Sequence, residues 1–463
     1  MRLTREDARP PFAGQGSVPG STAVGQRRVW SLRTSFWLVV AAQVLLFAGS
    51  NFPTPLFPIY EHRYGFGSGV VTLLFGVYVV ALVPTLLLLG RVADRVGRRP
   101  VLVAGIAITV LSSVAFAAAQ NVGWLFAGEI IYGIGGGLVM SSVAVAIREL
   151  HPKQHIAGGA LAASVSAAAG LTLGPLVSGL LAWLTPWPTV SPYVLDIVLA
   201  TALALALVRI PETRPVAPTA TERGRMFHIP SDIRPTFLAT ALAGAASFMV
   251  VGWVFAMSPS YLHEQLHVQI TQPVVAGLFA ALVVFTNGGS QLVLRRQQSA
   301  LALRTSLVGV VIGMGVMAAS TLVNSLAVAI IGGVIAGAGA GVAQMNAMAT
   351  IQRIVPMHAR GGVTSTYFTL CYSAMSVPVI IAGELADRFG LGAVTAGYFV
   401  ALTLLVGAAL VFAHRLVETP ATDLVDPFVE PDLAELAPTA WRKESETAEM
   451  RTERRDGRHR SSE

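Results

Sequence analysis

The sequence predicts an all-α integral membrane protein: twelve transmembrane helices in two six-helix halves, with both termini cytoplasmic. Three observations carry this. Only 12% of the 463 residues are charged and 54% are hydrophobic, against about 25% charged in a soluble domain. The charges are clustered, and the stretches between them are long enough to cross a hydrocarbon core of roughly 30 Å, which takes about 20 apolar residues per helix. Lys and Arg alternate with those stretches from one side to the other, as the positive-inside bias requires.

In chain order, residues 1–35 form a basic arm rich in Gly, Pro and Ser, expected to be a disordered cytoplasmic segment. The first apolar run starts near Phe36. It is too long for the apolar core of a leader peptide and lacks a small-residue cleavage site, so it reads as a span. The first half, 36–210, is expected to hold spans at 36–60, 69–90, 100–120, 123–147, 158–184 and 191–210, the last two joined by a Pro-rich turn over 185–192. Residues 211–235 are polar, charged and Pro-rich and read as a central cytoplasmic linker. The second half, 236–415, is expected to cross at 236–260, 272–294, 305–323, 326–350, 361–385 and 393–415. The tail, 416–463, is acidic, then mixed in charge and poor in aromatics, which predicts disorder.

Placing both ends in the cytoplasm puts Arg2, Arg5, Arg9, Arg27, Arg28 and Arg33 inside, followed by Arg91, Arg95, Arg98 and Arg99 in the next inner loop. Of the 32 Lys and Arg residues, only Arg63 and Arg388 fall on the outer side. One span more or fewer would scramble that alternation. The net charge of +7 therefore reflects topology, and no basic folded domain is present to bind nucleic acid. Cys371, the one cysteine, falls in a span and cannot form an internal disulfide. Walker, His-Glu-x-x-His and Gly-x-Ser-x-Gly patterns are missing and the nine histidines are scattered, so no catalytic residues, metal ligands or cofactor are expected.

The halves repeat one another. Gly133-Ile-Gly-Gly-Gly recurs as Gly337-Ala-Gly-Ala-Gly, Pro152 as Pro356, and Pro58-Ile-Tyr60 as Pro259-Ser-Tyr261. The spacing from Gly158-Gly159 to Pro175 recurs from Gly361-Gly362 to Pro378. Duplicated helical halves that rock about a shared interface are a transporter architecture.

The loop after the second span reads Gly90-Arg-Val-Ala-Asp94-Arg95-Val-Gly97-Arg98-Arg99-Pro. It resembles the signature loop of the major facilitator superfamily, whose fold is the twelve-helix arrangement above. The resemblance implies that Gly90, Asp94, Arg95, Gly97, Arg98 and Arg99 latch one conformation on the cytoplasmic side. Gly90 allows close helix approach, and Asp94 can face a positive helix N-terminus. The second-half counterpart, with Arg295 and Arg296, has lost the acid and the glycines, so a one-sided latch is expected. In the fifth span, Gly170-x-x-x-Gly174-Pro175 continuing to Gly179 is similar to the element of drug–proton antiporters in this superfamily. Glycines there permit tight packing and Pro175 bends the helix; Ser178 stands where the family usually has another glycine.

Glu129 precedes Gly133 where many of the family's exporters have an arginine tied to proton coupling. No Lys or Arg lies in any expected span except Arg209 and Arg415 at the very ends of two of them, and a lone acid in a low-dielectric interior exchanges protons rather than holding a fixed charge. Glu129 is therefore the candidate coupling residue, and Asp196 on the sixth span reads as structural. Cavity candidates on helices that line the cavity in this fold are Gln43, Asn51, Tyr132, Phe248, Trp253, Gln344 and Asn346, with Asn287, Tyr367 and Tyr372 secondary. Each amide can equally bond a neighbouring helix. The set implies an uncharged, partly aromatic cavity for an amphiphilic small molecule. The resemblance thus implies a multi-pass cell-membrane protein exporting drugs or secondary metabolites against protons. The alternatives are a proton-driven importer of a sugar or organic acid, towards which Pro211-Glu212-Thr213-Arg214 points, and a receptor on the same scaffold.

Overall fold

The computed structural model describes residues 30–152, 156–213, 229, 231–355 and 360–414. Those residues are built from helices: α1 (Leu32–Gly49), α2 (Phe57–Tyr64), α3 (Ser68–Val96), α4 (Arg98–Ala117), α5 (Val122–Glu149), α6 (Ile156–Leu184) and α7 (Ser191–Leu207), then α8 (Arg234–Ala256), α9 (Ser258–Leu266), α10 (Pro273–Val293), α11 (Ala300–Leu322), α12 (Leu326–Ile354), α13 (Arg360–Phe389) and α14 (Leu391–His414). Among the described residues, eleven segments are long and apolar enough to cross a membrane. The remaining apolar helix, α7, has 17 residues, the lower edge of what a bilayer needs. It is shorter than the expected 191–210 because its last turn unwinds at Val208–Ile210 before Pro211.

Local chemistry sets the helix ends. Ser31, Asn121, Ser299 and Ser325 accept hydrogen bonds from the first backbone N–H groups of α1, α5, α11 and α12, which lack partners within the helix. The first expected span is not one helix. After Gly49 the chain tightens into a 3₁₀ turn at Thr54–Leu56 and resumes as α2, because Pro53 and Pro55 lack the N–H a continuous helix needs. The α8–α9 pair repeats that break, with Pro259 in the first turn of α9. The matched tyrosines anchor both breaks: Tyr60 donates to the Tyr193 hydroxyl at 3.0 Å, and Tyr261 to the Met317 carbonyl at 2.9 Å.

The sequence repeat returns as a repeat of contacts. A Cβ on Gly133 would meet the Tyr78 carbonyl of α3, and one on Gly337 the Val283 carbonyl of α10. Likewise Gly135 abuts the Gly105 carbonyl of α4, and Gly339 the Ser306 carbonyl of α11. The glycine runs thus seat α5 and α12 against their neighbours at backbone distance, the packing that small residues permit in a membrane. Helices α1–α7 and α8–α14 pack mainly among themselves, and the two sets meet where α6 lies on α10 and α3 on α13.

We call the end of the bundle carrying Gly97 and Arg98 the arginine end. Two hydrogen bonds that join the sets among the described residues lie at the opposite end: Gly69 N–H to Asp387 Oδ2 (3.1 Å) and the Ser260 hydroxyl to Glu61 Oε2 (2.9 Å).

Candidate functional site: a buried acid ringed by tyrosines

Glu129 lies on α5, two turns in from Asn121, and is 6% exposed. Its helix position follows from its neighbours: Gly128 fits against the Phe116 ring and accepts a hydrogen bond from Ser112, and Gly133 fits against α3. Among the described residues, no hydrogen bond or ion pair holds the Glu129 carboxyl group. Four tyrosines, Tyr60, Tyr78, Tyr132 and Tyr193, lie within electrostatic range of it. They come from α2, α3, α5 and α7, so the ring forms only after the first set folds. Phenol groups can donate to a carboxylate or accept from a carboxylic acid. In the conformation described, Tyr60 donates instead to Tyr193 and Tyr132 to the Leu46 carbonyl.

Asp196 sits beside this ring, 1% exposed. One of its carboxyl oxygens accepts from the Ser113 hydroxyl at 2.5 Å, and the other has no hydrogen-bond partner. A Cβ on Gly49 would collide with both that free oxygen and the Tyr132 hydroxyl. The expected structural role for Asp196 thus coexists with an unsatisfied atom next to the candidate site.

The other candidates divide into two groups. Tyr78 is within electrostatic range of Tyr372 on α13, and Tyr372 meets Phe248 of α8 edge-on at 5.4 Å. Half-buried Phe248, Tyr372 and Tyr78 thus form an aromatic path from the ring into the second set. The second group makes hydrogen bonds to neighbouring helices or, for Asn51, to the end of its own. Gln43 donates to the Ala163 carbonyl (3.0 Å), Asn51 to Phe47 and Ser50, and Tyr132 to the Leu46 carbonyl (2.7 Å). Asn346 accepts from the Ser299 N–H ahead of α11 and donates to Val342. Trp253 is fully buried between Tyr261 and Phe399, away from Phe248 and Tyr372. Tyr367 and Asn287 are buried too, each with one polar group lacking a hydrogen-bond partner, and Gln344 is half-buried. An open groove between α3 and α13, lined by Leu73, Ile380 and Glu384 among others, touches none of these candidates.

The α6 element packs two ways. Gly170 and Gly174 admit the backbone of α1 at Val44 and Ala48, whereas Gly179 faces Pro273 and Gly277 of α10; the Pro175 carbonyl in turn abuts Gly277. Ser178, the departure from the family pattern, is fully buried and donates to the Phe52 carbonyl at 2.6 Å. It satisfies a carbonyl that the break after α1 frees.

Of the signature loop, Gly90, Asp94 and Arg95 have side chains outside the described residues. Gly97 closes α3 with φ 110° and ψ 160°, a conformation essentially restricted to glycine. The Glu212 carboxylate sits on that junction, accepting from Arg98 N–H (2.7 Å) and Arg99 N–H (3.3 Å). It thereby caps the positive N-terminus of α4. Arg98 also pairs with Glu149 at 3.8 Å. Glu212, weighed in the sequence only as a hint of import, fastens the chain after α7 to the signature loop. Tyr78 and Tyr193 were missed because they lie on helices not expected to line a cavity, and Tyr60 because it was read only as part of the repeat; their signal was a tyrosine placed mid-span or at a helix break.

The Major Facilitator Superfamily profile matches residues 39–379. Among curated relatives, the multidrug resistance protein MdtL of Klebsiella pneumoniae (strain 342) is 33% identical over 105 residues, covering 22% of this chain and 27% of that protein. MdtL of Escherichia coli O45:K1 is 36% identical over 63 residues, covering 14% and 16%. The chain therefore spans about a quarter or less of these relatives' length. Among solved structures, a bacterial homolog of the human lysosomal transporter Spinster, inward-facing and occupied, aligns with TM-score 0.64 at 16% identity over 88% of this chain and all of that one. A POT family transporter in complex with 5-aminolevulinic acid gives 0.68 at 12% identity over 83% and 96%, and the nucleoside transporter NupG 0.66 at 12% over 82% and 100%. At such identities these neighbours establish the fold alone. The profile match over most of the apolar core goes further: this chain belongs to the Major Facilitator Superfamily.

Proposed function

We propose that the chain is a proton-coupled exporter of drugs or secondary metabolites, working by alternating access in the cell membrane. One observation carries this reading: Glu129 is a buried acid with no cation, set among tyrosine hydroxyls. An acid there has neutral and charged forms of very different solvation cost, so a proton taken from one side and released to the other biases which side opens. The α6 seam, similar to that of drug–proton antiporters, and the name of the MdtL relatives favour export. Phe248, Tyr78 and Tyr372 offer aromatic surface to an amphiphilic substrate. In this reading α7 is the twelfth span, both termini are cytoplasmic, and helices α1–α7 and α8–α14 rock as two bodies. The arginine end then faces the cytoplasm, and the halves touch at the outer end.

The test is accumulation of ethidium and a panel of lipophilic cationic dyes in inside-out vesicles. Accumulation that appears only under an imposed proton gradient supports export. No gradient-driven accumulation across the panel, with gradient-driven uptake of sugars or organic acids in intact cells, replaces the exporter with an importer.

A further inference from the structure

The signature loop has a second copy. Gly90-Arg-Val-Ala-Asp94-Arg95-Val-Gly97 at the end of α3 is matched by Gly383-Glu-Leu-Ala-Asp387-Arg388-Phe-Gly390 at the end of α13. The copy is not in the second-half loop where duplication would put it, which holds Arg295 and Arg296. It lies at the other end of the bundle. Both copies finish alike: Gly97 (φ 110°) joins α3 to α4, and Gly390 (φ 84°) joins α13 to α14.

The helices that carry the copies pack on each other. Gly69 meets Asp387, Thr72 meets Gly383, and Gly76 meets Ile380. Each step up α3 is a step down α13, so the pair is antiparallel and the end of one lies by the start of the other. At the start of α3, the Asp387 carboxylate accepts from Gly69 N–H at 3.1 Å. A Cβ on Gly67 or Gly69 would stand 2.5 or 2.7 Å from its oxygens, so both glycines are needed for the carboxylate to reach the helix terminus. An acid of one half thus caps a helix of the other, where unpaired N–H groups and the helix dipole favour negative charge. Arg388 is turned to Glu384 of the same helix at 3.4 Å, which leaves Asp387 to α3.

We propose that the Gly383–Gly390 segment is a second latch, in which Asp387 on the N-terminus of α3 holds the far end shut in the conformation described here. The signature loop is its counterpart at the arginine end in the opposite conformation. This rests on the alternating-access reading above. It replaces the expected one-sided latch with two that alternate, one at each end of a single antiparallel helix pair.

The experiment measures distances between spin labels in the full-length protein in nanodiscs, in a Cys371→Ala background. One label pair, at His62 and Ala393, reports on the far end; another, at Val208 and Gln352, reports on the arginine end. Asp387→Ala is expected to raise the population with a long His62–Ala393 distance about two- to fivefold, the range set by one carboxylate at a helix N-terminus, and to shorten the Val208–Gln352 distance in step. Gly69→Ala, which pushes the carboxylate off, should do the same. Gly397→Ala, on α14 with open space around it, should not. Unchanged distributions in both Asp387→Ala and Gly69→Ala overturn the latch, as does an equal shift in Gly397→Ala. The readout needs neither substrate nor gradient: a shift in a protein that fails to accumulate dyes keeps the latch and sinks the export reading.

Discussion

At the scale of the residue, two kinds of information were unequally legible. Glu129 stood out in the sequence because an acid inside an apolar run is costly enough to demand a reason, and its position was readable from Gly133 beside it. Its surroundings were not. Tyr60, Tyr78 and Tyr193 come from separate helices and converge only through tertiary packing, which no local pattern encodes. Tyr132 was expected as a cavity residue, and the structure has its hydroxyl bonded to the Leu46 carbonyl. Glycines are the other case. Gly97 combines a backbone conformation that side chains avoid with a would-be Cβ 2.6 Å from the Glu212 carboxylate. Gly97→Ala is therefore expected to cost about 1–3 kcal/mol and to lower the apparent thermal midpoint in detergent. Gly289→Ala, on α10 with open space around it, should leave the midpoint where it is. Equal midpoints for the two variants would contradict the assignment.

At the scale of the element, apolar run length located the helices well, and the failures were all at breaks. The first span was expected to run unbroken to residue 60, yet it stops at Gly49 and restarts as α2; the prolines were visible, but run length outweighed them. The seventh helix came out short because Pro211 and the Glu212 cap end it early. The seam of α6 makes a prediction that belongs to this scale. Gly174 seats α6 on α1 within one half, whereas Gly277 seats α10 on α6 across the halves. A methyl group at either position overpacks a backbone contact, which costs about 1–3 kcal/mol, but the consequences differ. Gly174→Ala should lower thermal stability with little change in the distance between labels on the two halves. Gly277→Ala should shift that distance distribution with the smaller loss of stability. The reverse pattern would mean that α6 belongs with the second set.

At the scale of the whole molecule, composition and the alternation of Arg and Lys were enough to read a polytopic membrane protein, and the signature loop was enough to read its family. The paired contacts of Gly133 with Gly337, and of Gly135 with Gly339, give the sequence repeat a physical basis: each seats one helix on two neighbours. The second copy of the signature loop escaped notice because duplication directs attention to the equivalent loop of the other half, whereas the antiparallel α3–α13 pair relates opposite ends of the bundle. The halves pack along α6–α10 and α3–α13, and the acid ring lies inside the first half with an aromatic path to the second. On the proposed function, a rocking motion exposes Glu129 to alternate sides, with its protonation deciding the direction.

The most direct test of that claim separates movement from coupling. Purified wild type and Glu129→Gln are reconstituted in liposomes, and one labelled dye substrate is followed twice: in counterflow against unlabelled dye without a gradient, and in uptake driven by a proton gradient. A glutamine is always neutral, so the variant should exchange dye at a rate comparable to wild type and lose gradient-driven accumulation. If Glu129→Gln still concentrates the dye when the gradient is imposed, Glu129 does not couple proton flow to transport and the central claim fails.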